Sequence, residues 1–299
     1  MPRPTDRPLT VLITGASSGI GAGIARRLMS QKKAHRLVLT ARRAESLEAL
    51  AAEARDRGCE ALVAPDDLAD PEAPGRLIEA AVARFGGLDV LINNAGLGLP
   101  EPFARADPSA MARQIQVNFT APLLLARLAL PHLIASKGSI INVGSSITCV
   151  ANPIFGAYGA TKAGLAYWND ALRREMRPRG VSVCLVEPGP VHTEFFDSLS
   201  ALAPPGGAYN PLLDAPRPWM SADVEDVARR IVGLLGRPRR RLSVRRRVVW
   251  PFRCVGALFR AWPALGDLAL SSMVRHFDRA GDLSRPARNR DLREARPTE

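Results

Sequence analysis

The chain reads as an α/β protein built on a doubly wound parallel sheet with helices on both faces. Three observations carry that reading. Short apolar, β-branched runs alternate with helix-sized segments from Leu9 to Val186. The connections between the runs are long enough for parallel crossovers. The first run leads straight into a glycine-rich turn, T-G-A-S-S-G-I-G, and then into a helix. With 299 residues, 46% of them hydrophobic, the chain can bury one large core, and a sheet of about seven strands fits that length.

Leu9 to Ile13 is a short run of buried-strand type. The turn Thr14 to Gly21 follows, and Ile24, Ala25, Leu28 and Met29 then recur at helical spacing. Strand, glycine turn and helix in that order make a cradle for phosphate. Glycines let the backbone approach an anion, and the helix N-terminus presents oriented N–H donors. Arg36 to Thr40 is the second strand and runs into Ala41-Arg42-Arg43. At this place in a dinucleotide fold an acid binds the ribose 2′-hydroxyl, whereas arginine accommodates a 2′-phosphate, so Arg42 argues for NADP(H). Glu45 to Arg57 is a helix closed by Gly58. Ala61 to Ala64 is the third strand, followed by Asp66-Asp67-Leu68 and a helix from Pro71 to Phe85.

Leu88 to Ile92 is the fourth strand and ends in N-N-A-G, Asn93 to Gly96. Pro108 to Ala135 reads as one long helix. It contains Asn118, a poor residue for a helix interior, and carries Pro122 and Pro131 inside or near its end. Gly138 to Val143 is the fifth strand and leads into Ser145. Tyr158 to Met176 is a helix with Leu165, Trp168, Leu172 and Met176 on its apolar face. Val181 to Val186 is the sixth strand, and P-G-P-V-H-T follows at Pro188 to Thr193. Ser221 to Leu235 is the last helix of the body, with Asp223, Glu225 and Asp226 at the positive end of its dipole.

The stretch Ser145 to Lys162 is the candidate for the chemistry, with an ordinary helix face as the plain alternative. Tyr158 and Lys162 are four residues apart, so on a helix they share one face. A free tyrosine titrates near ~10, and an adjacent ammonium favours its phenolate and draws that value down. A tyrosine tuned in this way exchanges a proton with an alcohol or an alkoxide. Ser145, thirteen residues before Tyr158 across a loop, offers a hydroxyl that could polarise the same carbonyl oxygen.

The formal net charge is +12 and is unevenly placed. From Arg237 onward there are 16 Arg, no Lys and 6 acids, a net of +10, which leaves +2 for residues 1 to 236. Only Lys32, Lys33, Lys137 and Lys162 are lysines, which makes position 162 conspicuous. Cys59, Cys149, Cys184 and Cys254 have no metal-ligand or disulfide spacing, so no metal is expected and all four are expected as buried, reduced thiols. The N-terminus has no apolar signal region, and no apolar run is long and uninterrupted enough to span a bilayer. These features predict a cytoplasmic protein.

In their order and intervals these elements resemble the compact branch of the short-chain dehydrogenase/reductase family. The likeness covers about Leu9 to Leu235 and implies a Rossmann-type sheet and a hydride exchange between nicotinamide and a carbonyl or alcohol. It implies that Gly15, Ser17, Ser18, Gly19, Ile20 and Gly21 wrap the cofactor phosphates, and that Arg42, with Arg43, meets the 2′-phosphate. Asp67 and Leu68 flank the adenine, and Asn94, Ala95 and Gly96 support the adenosine side. Pro188, Gly189, Val191 and Thr193 hold the nicotinamide. The implied catalytic set is Asn118, Ser145, Tyr158 and Lys162: the tyrosine as acid/base, the serine orienting the carbonyl, the lysine lowering the tyrosine pKa and binding ribose, and the asparagine holding a relay water. Some NADP-preferring relatives carry a basic residue inside the turn, where this chain has Ser17. NADP(H) preference therefore rests on Arg42 and Arg43. Relatives commonly pair their long helices, which implies a homodimer or homotetramer.

Glu194 to Met220 reads as a substrate lid, rich in Phe195, Phe196, Leu199, Leu202 and Trp219 among glycines and prolines, and its apolar content points to a lipophilic ketone or aldehyde. His192 reads as a backbone-fixing or solvent-facing neighbour of the nicotinamide motif. The expected organisation is a tail over residues 1–8, one domain over 9–236 and a basic extension over 237–299 whose end, from Gly281, is disordered. Within the extension Phe252, Val255, Leu258, Phe259 and Trp262 fall at helical spacing, with Arg253 and Arg260 elsewhere on the wheel. Over residues 237–275 this leaves three occupants open: a membrane surface, the enzyme's own body, or a second copy. Nucleic acid is not expected, because no base-reading motif accompanies the charge. The competing functional reading is a non-catalytic NADP(H) sensor that docks a partner through this tail.

Overall fold

The computed structural model describes residues 7–31, 33–191, 193–194, 221–244 and 246–279. His192, the stretch beyond Glu194 expected as a lid, and the end of the chain lie outside the described residues.

Seven strands form one parallel sheet: β1 (Thr10–Thr14), β2 (Arg36–Thr40), β3 (Glu60–Val63), β4 (Val90–Asn93), β5 (Ser139–Val143), β6 (Ser182–Glu187) and β7 (Arg241–Ser243). Their order is β3-β2-β1-β4-β5-β6-β7. Helices α1 (Gly19–Met29), α2 (Ala44–Asp56), α3 (Ala73–Phe85), α4 (Pro108–Ile115), α5 (Ala121–Ser136), α6 (Gly156–Met176) and α7 (Val224–Gly236) cover it. The alternation of side chains along each strand divides the core in two. Val11, Ile13, Leu37 and Leu39 face α1, α2 and α7 through Ile24, Leu28, Leu47 and Ile231. Leu12, Val38, Leu91 and Ile140 face α3, α5 and α6 through Leu77, Leu125, Leu133 and Leu172. The strand order reverses between β1 and β4. Ligands of such sheets bind at the carboxyl ends of the strands beside this switch point, where the glycine turn and Asn94–Gly96 lie.

Two elements depart from the sequence reading. The expected helix from Pro108 to Ala135 runs on to Ser136 but widens in a π-helical turn, Gln116–Thr120, with Asn118 at its middle. Pro122 has no N–H to give the carbonyl of Asn118, so the α-helical ladder fails there and the chain widens. By length and composition Pro108–Ser136 is apolar enough to cross a membrane. Here Ala121, Leu125, Ala126, Ala129 and Leu133 pack it onto the sheet.

The second departure is in the basic segment. Arg241–Ser243 forms the edge strand β7 on β6, so the sheet continues past residue 236. Arg240 and Arg241 bond Asp170 of α6 at 2.7 and 3.0 Å. The amphipathic stretch that follows is two helices, α8 (Arg246–Ala261) and α9 (Pro263–Arg279), divided at Pro263. Three cysteines are buried as expected, but Cys254 is exposed because it lies on the outer side of α8.

Candidate active site

The glycine turn is shaped by what surrounds it. Gly15 has φ +67°, and a Cβ there would meet the Ala95 Cα at 3.0 Å. A Cβ on Gly21 would fall onto the carbonyl of Gly15. Asn94 fixes the turn by donating from Nδ2 to the carbonyls of Thr14 and Gly15, at 2.9 and 3.3 Å. Thr14, which the sequence reading left unassigned, ties the two strand ends together. Its Oγ1 accepts from the N–H groups of Asn94 and Ala95 at 2.9 and 3.0 Å. Its place as the last residue of β1, ahead of Gly15, was the available signal.

Ser18 precedes α1 without capping it through its side chain, and the first turn of α1 holds no acid. The opening N–H groups at Gly19, Ile20 and Gly21 are therefore donors aimed at the cradle, which fits the phosphates of a dinucleotide. Arg42 and Arg43 are exposed at its far rim. Arg43 Nη2 approaches the Ser17 hydroxyl at 3.3 Å and pairs with Glu194 at 2.8 Å. Asp67 accepts from the Ala69 N–H at 3.0 Å and pairs with Arg113 at 2.6 Å, while Leu68 is buried beside it. Thr193 lies against Gly19, where an added Cβ would meet its Cγ2 at 3.1 Å. The segment after β6 thus comes up against the glycine turn at Thr193, and Val191 bridges to Ala222 in front of α7.

Ser145, Tyr158, Lys162 and Asn118 converge at the ends of β4 and β5. Ser145 follows β5 and accepts from the Ile147 N–H at 3.1 Å, capping a short 3-10 turn, Ser146–Cys149. Its hydroxyl also hydrogen-bonds the Tyr158 hydroxyl. Tyr158 and Lys162 share the buried face of α6, with Lys162 Nζ 6.0 Å from the tyrosine ring centroid. Asn118 is fully buried, accepts from the Leu97 N–H at 2.8 Å, and donates to the Leu97 carbonyl at 2.8 Å and to Thr161 at 3.3 Å. One turn earlier Gln114 accepts from the Leu99 N–H at 2.8 Å, so two amides on this helix hold the Leu97–Leu99 loop. Gln114 escaped the sequence reading because nothing in the helix pattern pairs it with that loop.

Burial governs both titrations. It pushes the Tyr158 phenol up to about 12, against a downward pull from the Ser145 hydrogen bond. It lowers Lys162 to about 8. The expected lowering of Tyr158 by Lys162 is absent from this arrangement, in which the ammonium donates to the Val143 carbonyl at 3.0 Å. Burial thus keeps Tyr158 in its neutral phenol form.

The model of the short chain dehydrogenase family matches residues 9–202. The chain belongs to this family. It is 37% identical to serine 3-dehydrogenase of Agrobacterium fabrum, over 62% of this chain and 73% of that enzyme. It is 32% identical to dehydrogenase/reductase SDR family member 7B of Bos taurus, over 78% of this chain and 72% of the relative. A short-chain dehydrogenase from Burkholderia cenocepacia, solved in complex with NADP, superposes with a TM-score of 0.68 at 30% identity, covering 80% of this chain and 96% of that one. The chain is accordingly an oxidoreductase of alcohol and carbonyl groups.

Proposed function

We propose that the enzyme is an NADP(H)-dependent reductase of lipophilic ketones or aldehydes, with Tyr158 as the proton donor. The neutral Tyr158 phenol, buried and hydrogen-bonded to Ser145, carries this reading. A bound nicotinamide would supply the hydride. Ser145 donates to the substrate carbonyl oxygen and holds it beside Tyr158, which gives that oxygen its proton as charge develops there. Lys162 supplies positive charge behind the tyrosine and a donor for ribose. Asn118 fixes the loop at Gly96, where an added Cβ would stand 3.3 Å from Asn118 Oδ1 and 3.4 Å from Lys162 Nζ. Gly15, Ser17, Ser18, Gly19, Ile20 and Gly21 take the phosphates, Arg42 and Arg43 the 2′-phosphate, Asp67 and Leu68 the adenine, and Pro188, Gly189, Val191 and Thr193 the nicotinamide. The NADP carried by the Burkholderia relative supports the cofactor choice.

Screening NADPH oxidation across steroid, acyl, aromatic and sugar carbonyls tests this. Turnover is expected with the apolar classes, and faster than with NADH. Equal rates with the two cofactors would overturn the NADP(H) assignment. The outer side of α8 and α9 adds a location. Trp250, Trp262 and Leu268 are 59%, 63% and 74% exposed, in a segment flanked by arginines, a composition suited to an anionic lipid surface. Flotation with phosphatidylglycerol vesicles should be lost in a Trp250→Glu, Trp262→Glu double variant; wild-type protein that stays unbound would exclude membrane docking. Leu124 and Leu128 on the open side of α5 suit pairing with a second copy, to be read by light scattering.

A further inference from the structure

Helix α8 is turned the wrong way round for an ordinary surface helix. Its large apolar residues Trp250, Phe252, Val255 and Leu258 are exposed, while Val249, Arg253 and Gly256 lie along the side that meets the body. Those positions recur at i, i+4 and i+7, a single stripe. Two of its contacts with the body, those of Arg253 and Gly256, adjoin the catalytic elements.

The first contact is through charge. Glu187, the last residue of β6, is only 3% exposed and immediately precedes Pro188-Gly189. Its carboxylate is held by the Arg253 guanidinium, by Ser243 Oγ at 3.1 Å and by Arg241 at 3.4 Å. A buried carboxylate of this kind stays only where its partners are fixed. The second contact is steric. A Cβ on Gly256 would coincide with the carbonyl of Cys149, so the backbone of α8 rests directly on the end of the Ser146–Cys149 turn. The two contact points are themselves joined, because the Ser146 N–H donates to the Pro188 carbonyl at 3.1 Å. Residues three apart on one helix thus press on the turn that Ser145 caps and on the strand end that feeds the nicotinamide motif.

We infer that α8 is a positioning element for the reaction, with Arg253 setting the strand end at Glu187–Pro188 and Gly256 setting the turn that orients Ser145. Neither residue touches the reacting atoms. Both act through Ser145 and through Pro188. The inference rests on Ser145 being the group that orients the carbonyl, and its test reads the Ser145 turn directly as well as turnover.

The test uses the full-length chain as Arg253→Ala, Arg253→Lys and Gly256→Val variants, with backbone hydrogen exchange as the first readout. Exchange at the amides of Ser146 and Ile147 is expected to quicken about tenfold or more in Arg253→Ala and Gly256→Val, while amides of α1 stay as in wild type. Arg253→Lys should restore most of the protection. With NADPH and nitrobenzaldehyde, kcat should fall about tenfold while NADPH Kd rises by much less, since the misplacement affects the carbonyl and the nicotinamide end and leaves the phosphate cradle intact. Unchanged exchange at Ser146 and Ile147, or acceleration spread evenly over the whole chain, would overturn the inference. A Gly256→Val chain that does not fold leaves the Arg253 pair to decide. If wild type fails to consume NADPH, the proposed reaction is at fault, and the exchange data still judge the positioning.

Discussion

On the cofactor side of Tyr158 the site is built from backbone. Gly15 and Gly21 leave room for the chain to fold onto itself, and Thr14 and Asn94 lock the result with hydrogen bonds to main-chain atoms. On the opposite side the wall is built from charge, with Arg240 and Arg241 on Asp170 and Arg241 and Arg253 on Glu187. Steric fit is indifferent to pH, whereas ion pairs weaken with acid and salt. The cofactor side should therefore fail abruptly when one side chain is added, and the tail side by degrees as charges are removed.

Among changes that probe this contrast, Gly21→Val should have the largest effect. The new side chain must displace the Gly15 carbonyl, so NADPH affinity is expected to fall by about a hundredfold or more, measured by nucleotide fluorescence. Lys162→Met comes next and moves two quantities in opposite directions. Burial places the folded-state pKa of Lys162 near 8, below its unfolded value, so the cost of the buried cation is fully present below pH 8 and fades as pH rises above it. The variant should lose about a hundredfold in turnover yet melt higher than wild type at pH 7, with the gain shrinking above pH 8. Arg42→Asp should shift the NADPH-to-NADH preference by about tenfold or more, read as a ratio of kcat/KM values.

The smallest effect probes the charged side. The hydrogen-bonded Arg240 guanidinium, its strongest partner, holds the Asp170 carboxyl down to about 2. A depressed carboxylate stabilises the fold above the ordinary carboxylate range, and the contribution is lost as pH falls through about 2. Arg240→Gln should therefore lower Tm by about 2–4 °C near neutrality, and the difference from wild type should vanish toward pH 2. A difference that persists in acid would mean that the arginine acts through packing.

The same contrast explains what was legible. The cradle shows in the sequence because its geometry demands glycine at fixed spacings next to a strand and a helix. Tyr158 and Lys162 show because helical spacing puts them on one face. Glu187 and Arg253, and Asp170 and Arg240, are far apart along the chain, and an arginine-rich stretch gives no sign of which arginine faces inward. The segment accordingly read as an appendage of uncertain occupant, where the structure makes Arg241–Ser243 the seventh strand. The π turn at Asn118 was half visible. Asn118 and Pro122 flagged an irregular helix, but nothing in the sequence pairs the Asn118 amide with Leu97 across the site.

The central claim is that Tyr158 is the proton donor of a working reductase, and a Tyr158→Phe variant tests it most directly. NADPH oxidation with an apolar carbonyl and NADPH binding should be measured side by side in wild type and variant. The account predicts a loss of turnover of about a thousandfold or more with NADPH affinity nearly unchanged. A variant that turns over at the wild-type rate would contradict it, and so would a wild type that binds NADPH tightly and reduces nothing across the carbonyl panel, the behaviour of a sensor.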